Sequence, residues 1–279
     1  MNKYLSIIQI IRPLNVFISL IATIISALLI NQINSPLLPF VCCIIISFVA
    51  ASNVINDIYD VSIDKINKPK RTLVLGSLSI LTSKIIVFVL YTLGSIASLF
   101  IHYKGGMFAI FIILPLLILY TPFIKKIVFL GNIFVGTMLG FVFAFTELSI
   151  MGHVDKMLVP FLLATTLSTI REIIKDCSDI VGDSTFNVYT LPSILGFPAT
   201  LWIIRFIASL LCFLGIIPFI LNMYGFTYFL LLLTIVELPL IWLVYVQLNI
   251  TSSSSEYIFA AKALKGITFG GLMVILFTI

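Results

Sequence analysis

Long apolar stretches govern what this chain can become. A helix needs about 20 consecutive apolar residues to cross the hydrocarbon core of a bilayer. Nine candidates run through the 279 residues, near 13–31, 37–55, 84–101, 106–123, 127–147, 157–175, 198–220, 226–248 and 258–278. Little chain remains from which to build a soluble domain. Charged residues make up only 10% of the sequence and apolar residues 61%, whereas a soluble globular chain carries roughly 25% charge. The expected fold is therefore all-α and polytopic: nine transmembrane helices in one bundle around a central cavity. Residues 1–279 are expected to form a single membrane domain. The first apolar run has no small-residue cleavage site and many more spans behind it, so the first helix is expected to act as its own insertion signal. Prolines inside the spans, such as Pro115, Pro160, Pro218 and Pro239, read as kinks and packing sites.

The net charge of +5 is explained by topology. With nine spans, the N-terminus and the even-numbered connections share one side. That side holds Lys3, Arg12, Lys65, Lys68, Lys70, Arg71, Lys84, Lys125, Lys126, Arg171, Lys175, Arg205, Lys262 and Lys265, against Lys104 and Lys156 on the other. The positive-inside rule then puts the N-terminus and the two long connections, 56–83 and 176–197, at the cytoplasmic face of the cell membrane. Cys42, Cys43, Cys177 and Cys212 lack metal-ligand spacing, so neither a disulfide framework nor a zinc site is expected. His102, His153 and Glu147 read as outer-boundary residues. Arg205 is expected to snorkel or to reach a phosphate. Glu237, deep in the eighth span, is either functional or bonded to a neighbouring helix.

Acidic residues carry the most information. The chain has 11, and seven fall in two short stretches. The first runs from Asn53 and Asn56 through Asp57, Asp60 and Asp64. The second runs from Arg171 and Glu172 through Lys175, Asp176, Asp179 and Asp183. Both read Asp-x2-Asp-x3-Asp, 119 residues apart. Positions i, i+3 and i+7 share one face of a helix, so each stretch is expected to present three carboxylates in a row. The rows sit at the cytoplasmic ends of the second and sixth spans.

Carboxylates so close together repel one another unless cations are present. Oxygen-only ligands without histidine or cysteine favour a hard cation, magnesium above all. Magnesium is commonly held by a few carboxylates together with substrate phosphates. Two acidic rows acting as jaws on one diphosphate fit that pattern. Lys68, Arg71, Lys125, Lys126, Arg171 and Lys175 would complete the clamp. The bland alternative is a solvated loop, polar because it is exposed. It does not explain equal spacing at matching helix ends.

At these residues the sequence resembles the UbiA superfamily of intramembrane prenyltransferases. Asn56-Asp57-x2-Asp60-x3-Asp64 is similar to its first motif, and Asp176-x2-Asp179-x2-Gly182-Asp183 to its second. Arg12-Pro13-Leu14-Asn15 resembles the start of its first helix. Tyr120-Thr121, Lys125-Lys126 and Gly131-Asn132 resemble the stretch around its fourth connection. Within the superfamily, Arg171-Glu-Ile-Ile-Lys-Asp and Asn67-Lys68-Pro69-x-Arg71 look like the archaeal digeranylgeranylglyceryl phosphate synthases. Arg71-Thr-Leu-Val-Leu-Gly76 and Ser178 depart from that subfamily's pattern.

The resemblance implies magnesium-dependent transfer of geranylgeranyl from its diphosphate to geranylgeranylglyceryl phosphate. This forms the second ether bond of archaeal membrane lipids. Asp57, Asp60, Asp64, Asp176, Asp179 and Asp183 are the candidate metal ligands. Asp60, Asp64, Asp179 and Asp183 are the candidate catalytic residues, with Asp64 or Asp183 as proton acceptor. Asn53, Asn56, Lys68, Arg71, Lys125, Lys126, Lys175, Arg12 and Asn15 are expected to bind phosphate groups, and Arg171 the acceptor's phosphate. An aromatic acceptor in quinone synthesis is the nearest alternative. A cation-coupled transporter is the remote one.

Overall fold

The structure, a computed structural model, describes residues 3–186 and 188–277. Lys3 is described by its backbone alone, and Thr278, the last residue of the ninth expected span, lies outside the described residues. Among the described residues every regular element is helical. In chain order these are α1 Lys3–Ile10, α2 Pro13–Leu29, α3 Leu38–Tyr59, α4 Val61–Asn67, α5 Ile80–Phe100, α6 Tyr103–Tyr120, α7 Leu130–Met151, α8 Leu158–Thr185, α9 Leu191–Ile220, α10 Phe226–Gln247 and α11 Ser254–Leu276.

Every apolar stretch foreseen in the sequence lies within or overlaps a helix. The count of crossings is less simple. Among the described residues, seven helices are long and apolar enough to cross a bilayer: α3, α5, α6, α7, α9, α10 and α11. The count is eight if α1 and α2, which meet at a 55° bend, form one span. Of the expected nine, α2 counts only together with α1, and α8 does not count. Arg171, Glu172 and Lys175 interrupt its apolar run before the run is long enough. Exposed apolar side chains nevertheless cover the helices, as with Phe88 at 72% and Phe206 at 71% exposure. Surfaces of this kind belong in lipid. The chain is a multi-pass membrane protein.

Local chemistry sets the helix boundaries. Pro13 stands in the first turn of α2, where its missing N–H costs nothing, and Arg12 before it adopts a left-handed conformation with φ 55°. Ser79 caps α5 by accepting from Thr82 N at 3.0 Å. Capping boxes open α9 (Thr190 with Ser193) and α11 (Ser253 with Glu256). Gly196, at φ 76°, breaks the helical path of α9, whose apolar span runs from Leu191, seven residues before the expected start at 198. α8 instead runs on to Thr185, ten residues past the expected end of its span. The second long connection is largely helix.

The chain packs as two compact units, Met1–Lys126 with Val142–Lys156, and Ile127–Phe141 with Met157–Ile279. In the first, Ile10, Val54, Leu73 and Leu78 form a core cluster under the 56–83 connection. In the second, Ile170, Ile173 and Ile174 of α8 pack with Leu201 and Ile204 of α9 and with Tyr257 and Leu264 of α11. There, α7 and α8 approach backbone to backbone. A Cβ added at Gly136 would meet Thr165 O at 2.7 Å, and one at Gly140 would meet Phe161 O at 2.6 Å. Small residues four apart permit this approach.

The Gly140 contact involves a helix carbonyl that cannot swing aside. Gly140→Leu is expected to lower thermal stability in detergent, at a cost of about 1–3 kcal/mol for overpacking. Gly266→Ala, where a Cβ meets nothing within 4 Å, is expected to leave stability unchanged or to raise it slightly. Unfolding curves of the two variants decide this.

Candidate active site at two acidic helix ends

The first acidic stretch lies in the first unit. α3 ends at Tyr59, Asp60 caps it at φ −89° and ψ 3°, and α4 begins at Val61. Asp64 therefore stands on a separate short helix. The i to i+4 pattern nonetheless survives the break, with Asp60 N donating to Asn56 O at 2.9 Å and Asp64 N to Asp60 O at 2.8 Å.

Each carboxylate here faces a cation. Buried Asp57 receives Arg12 Nη2 at 2.5 Å and also Arg71 Nη1. Lys125 Nζ lies 2.6 Å from both oxygens of Asp60. Asp64 is buried near Arg71 Nη1 at 3.7 Å and Lys68 Nζ at 3.9 Å. Burial lifts the Asp64 carboxyl above its usual range, and Arg71 and Lys68 only partly oppose this. The Asn side chains are engaged too. Asn53 donates to Ile11 O at 3.0 Å and accepts from Asn15 Nδ2 at 3.4 Å. Asn56 accepts from Thr121 Oγ1 at 2.5 Å. Lys126, beside Lys125 in a short turn at Ile124–Lys126, is exposed.

The second stretch lies in the second unit, wholly on α8, so Asp176, Asp179 and Asp183 do share one uninterrupted helix. Asp176 receives Asn132 Nδ2 of α7 at 2.7 Å. Asn132 is one turn before Gly136 and two before Gly140, on the face that packs closely against α8. Asp179 accepts from Ser178 Oγ at 3.2 Å. The backbone carbonyl of Asp183 accepts from Phe186 N at 3.2 Å and Val188 N at 2.9 Å, which closes the helix end. Arg171 Nη1 and Lys175 Nζ both reach Glu172, at 2.8 and 2.6 Å.

Among the described residues no three acidic, histidine or cysteine side chains gather closely enough to hold one ion. Asp57, Asp60 and Asp64 each lie beside an Arg or Lys, and Asp176 takes an amide. The donor set still fits magnesium. It is all oxygen, and magnesium needs only one or two carboxylates when substrate phosphates supply the rest.

Asn132, Thr121 and Glu172 were not assigned to the site from sequence. Asn132 and Thr121 did stand in the Gly-Asn and Tyr-Thr stretches, so their signal was present without a stated partner. Arg205 donates to Val244 O at 3.3 Å and Leu248 O at 3.2 Å at the end of α10. Glu147 is buried, and accepts from Asp155 N and Lys156 N. Glu237 is buried, and its Oε1 has no hydrogen-bond partner among the described residues.

The chain is similar to known proteins over nearly its whole length. Residues 18–264 match the UbiA prenyltransferase family. A digeranylgeranylglyceryl phosphate synthase from Methanosphaera stadtmanae is 28% identical over 257 residues, 92% of either chain. The synthase from Methanococcus aeolicus is 33% identical over 261 residues, covering 90% of this chain and 91% of its own. A solved structure described under the name digeranylgeranylglyceryl phosphate synthase superposes with TM-score 0.77 at 29% identity, over 100% of this chain and 99% of the other. A UbiA homologue from Archaeoglobus fulgidus bound to DMAPP and Mg2+ superposes with TM-score 0.69 at 16% identity, over 98% and 99%, and has the same fold. This chain belongs to the UbiA prenyltransferase family and is a membrane prenyltransferase.

Proposed function

We propose that the chain transfers geranylgeranyl from geranylgeranyl diphosphate to the free hydroxyl of geranylgeranylglyceryl phosphate, with magnesium as cofactor. The product is the second ether bond of archaeal membrane lipids. The observation that carries this reading is the pairing of every acid of the first motif with an Arg or Lys, on a chain about 30% identical to such synthases along most of its length. On this reading residues 1–279 act as one prenyltransferase domain, α8 completes nine crossings around a central cavity, and the N-terminus and both motifs face the cytoplasm.

Both acidic rows serve one diphosphate. Asp57, Asp60 and Asp64, with Asn53 and Asn56, and Asp176, Asp179 and Asp183 would hold magnesium. Bound there, magnesium neutralises charge building on the leaving group and acts as a Lewis acid at its oxygens. Arg12, Arg71, Lys68 and Lys125 exchange their carboxylate partners for phosphate oxygens as the donor arrives, with Asn15 and Lys126 beside them. This keeps the charge of the site balanced at each stage. Apolar walls exclude water from the allylic carbon as its bond to the diphosphate oxygen breaks. Arg171 and Lys175 hold the acceptor's phosphate. The acceptor hydroxyl forms the new carbon–oxygen bond, and its proton passes to Asp64 or Asp183. Family membership sets the transporter reading aside. The departures at Thr72–Leu75 and Ser178 make an aromatic acceptor the alternative worth testing.

Protein reconstituted in nanodiscs and supplied with labelled geranylgeranyl diphosphate is expected to label geranylgeranylglyceryl phosphate and to leave 4-hydroxybenzoate unlabelled. The opposite pattern would overturn the acceptor. Asp60→Ala and Asp179→Ala are each expected to reduce transfer by about a hundredfold or more, the scale of losing a charge-stabilising group, with membrane insertion unchanged. Normal turnover by either variant would remove that aspartate from the mechanism.

A further inference from the structure

Glu172 is the acid of the second stretch that stands outside the Asp-x2-Asp-x3-Asp pattern. It lies on α8, next to Arg171 and three residues before Lys175, and it bonds both, at 2.8 and 2.6 Å. Its side chain is 12% exposed, and those of Arg171 and Lys175 are 18% and 33% exposed. The first motif is wired differently. There Arg and Lys close on the motif aspartates themselves. Here Asp176 takes a neutral amide from Asn132, and Arg171 and Lys175 close on Glu172.

Stability is a weak reason for such a triad, because ion pairs at a partly exposed helix surface contribute about 0–1 kcal/mol. Geometry gives a stronger one. Two long cationic side chains one turn apart repel and sample many rotamers. A carboxylate between them brings both heads to one place and lowers the entropy cost of engaging an anion. The triad keeps one net positive charge. Arg171 has capacity left over, since its Nε is buried and finds no hydrogen-bond acceptor among the described residues. A planar guanidinium with a donor edge unused matches the oxygens of a phosphate monoester.

Resting on the lipid-phosphate acceptor proposed above, we infer that Glu172 is the positioning residue of a phosphate-monoester subsite on α8. It holds Arg171 and Lys175 for the acceptor's phosphate and keeps them apart from the magnesium–diphosphate work of Asp176 and Asp179. It touches neither reacting atom. Its effect therefore falls on acceptor affinity and spares donor affinity.

The test uses the full chain in detergent and two probes measured by calorimetry. One is a short-chain dialkylglycerol phosphate, a phosphate monoester that needs no turnover. The other is a thiolo analogue of the prenyl diphosphate with Mg2+. Glu172→Gln is expected to weaken the phosphate monoester by about tenfold, the scale of losing a charge-assisted hydrogen bond. Binding of the diphosphate analogue should move by less than about twofold on the same scale. Glu172→Asp, which keeps the charge, is expected to recover part of the loss. Unaltered monoester binding by Glu172→Gln would overturn the positioning role, and so would equal weakening of both probes, which marks general damage. Failure of the unmutated chain to bind the monoester while it binds the diphosphate analogue would instead overturn the lipid-phosphate acceptor, and the subsite with it.

Discussion

Two guanidinium groups on one buried carboxylate hold the first acidic helix end together. Asp57 is 4% exposed, and an isolated charge at that depth is costly. Arg12 comes from the bend between α1 and α2, and Arg71 from the loop after α4. Asp57 thus ties two separate stretches of chain to the end of α3. Arg12 accepts a left-handed backbone to do so. A strained residue at a helix break persists where its surroundings fix it, and here the surroundings are a carboxylate and the apolar cluster of Ile10, Val54, Leu73 and Leu78. On the proposed reading, a magnesium–diphosphate ligand would compete for these same charges, and the salt bridges would keep the acids neutralised until it arrives.

The second helix end reaches a comparable result by packing. Gly136 and Gly140 let α7 lie directly on α8, and that contact carries Asn132 to Asp176. A neutral amide satisfies the carboxylate without committing a cation to it. The cations of α8 settle on Glu172 instead. The two motifs share a spacing and differ in what balances them. That asymmetry suits a reaction with two anionic substrates, a diphosphate that needs metal and a phosphate monoester that does not.

Much of this was legible from residue types and spacing. The apolar runs named the helices, because lipid leaves a backbone few other ways to satisfy its hydrogen bonds. The equal spacing of the aspartates pointed to the candidate site, because few acids occur elsewhere in so apolar a chain. The pairing was not legible. Nothing in the spacing says that Lys125, 65 residues from Asp60, meets it while Lys126 stays exposed. The break of helix at Asp60 was also hidden, since Val61–Asn67 continues the same periodicity. The length of α8 was hidden for the opposite reason: the apolar run ends near residue 175, yet the helix that carries Asp176, Asp179 and Asp183 continues to Thr185. Asn132 escaped assignment because its partner Asp176 lies 44 residues away and only the folded chain supplies it, and Glu172 because it stands outside the repeated aspartate spacing.

The central claim is that these acids give up their Arg, Lys and amide partners only for magnesium and diphosphate together. Calorimetric titration of the chain with a non-ionising prenyl thiolodiphosphate, in Mg2+ and then in excess chelator, tests it most directly. Saturable binding that disappears in chelator and returns with added Mg2+ is the expected result. Equal affinity with and without the metal would contradict the account, because the Arg and Lys side chains would then bind the diphosphate alone and the aspartates would serve only as their counter-ions.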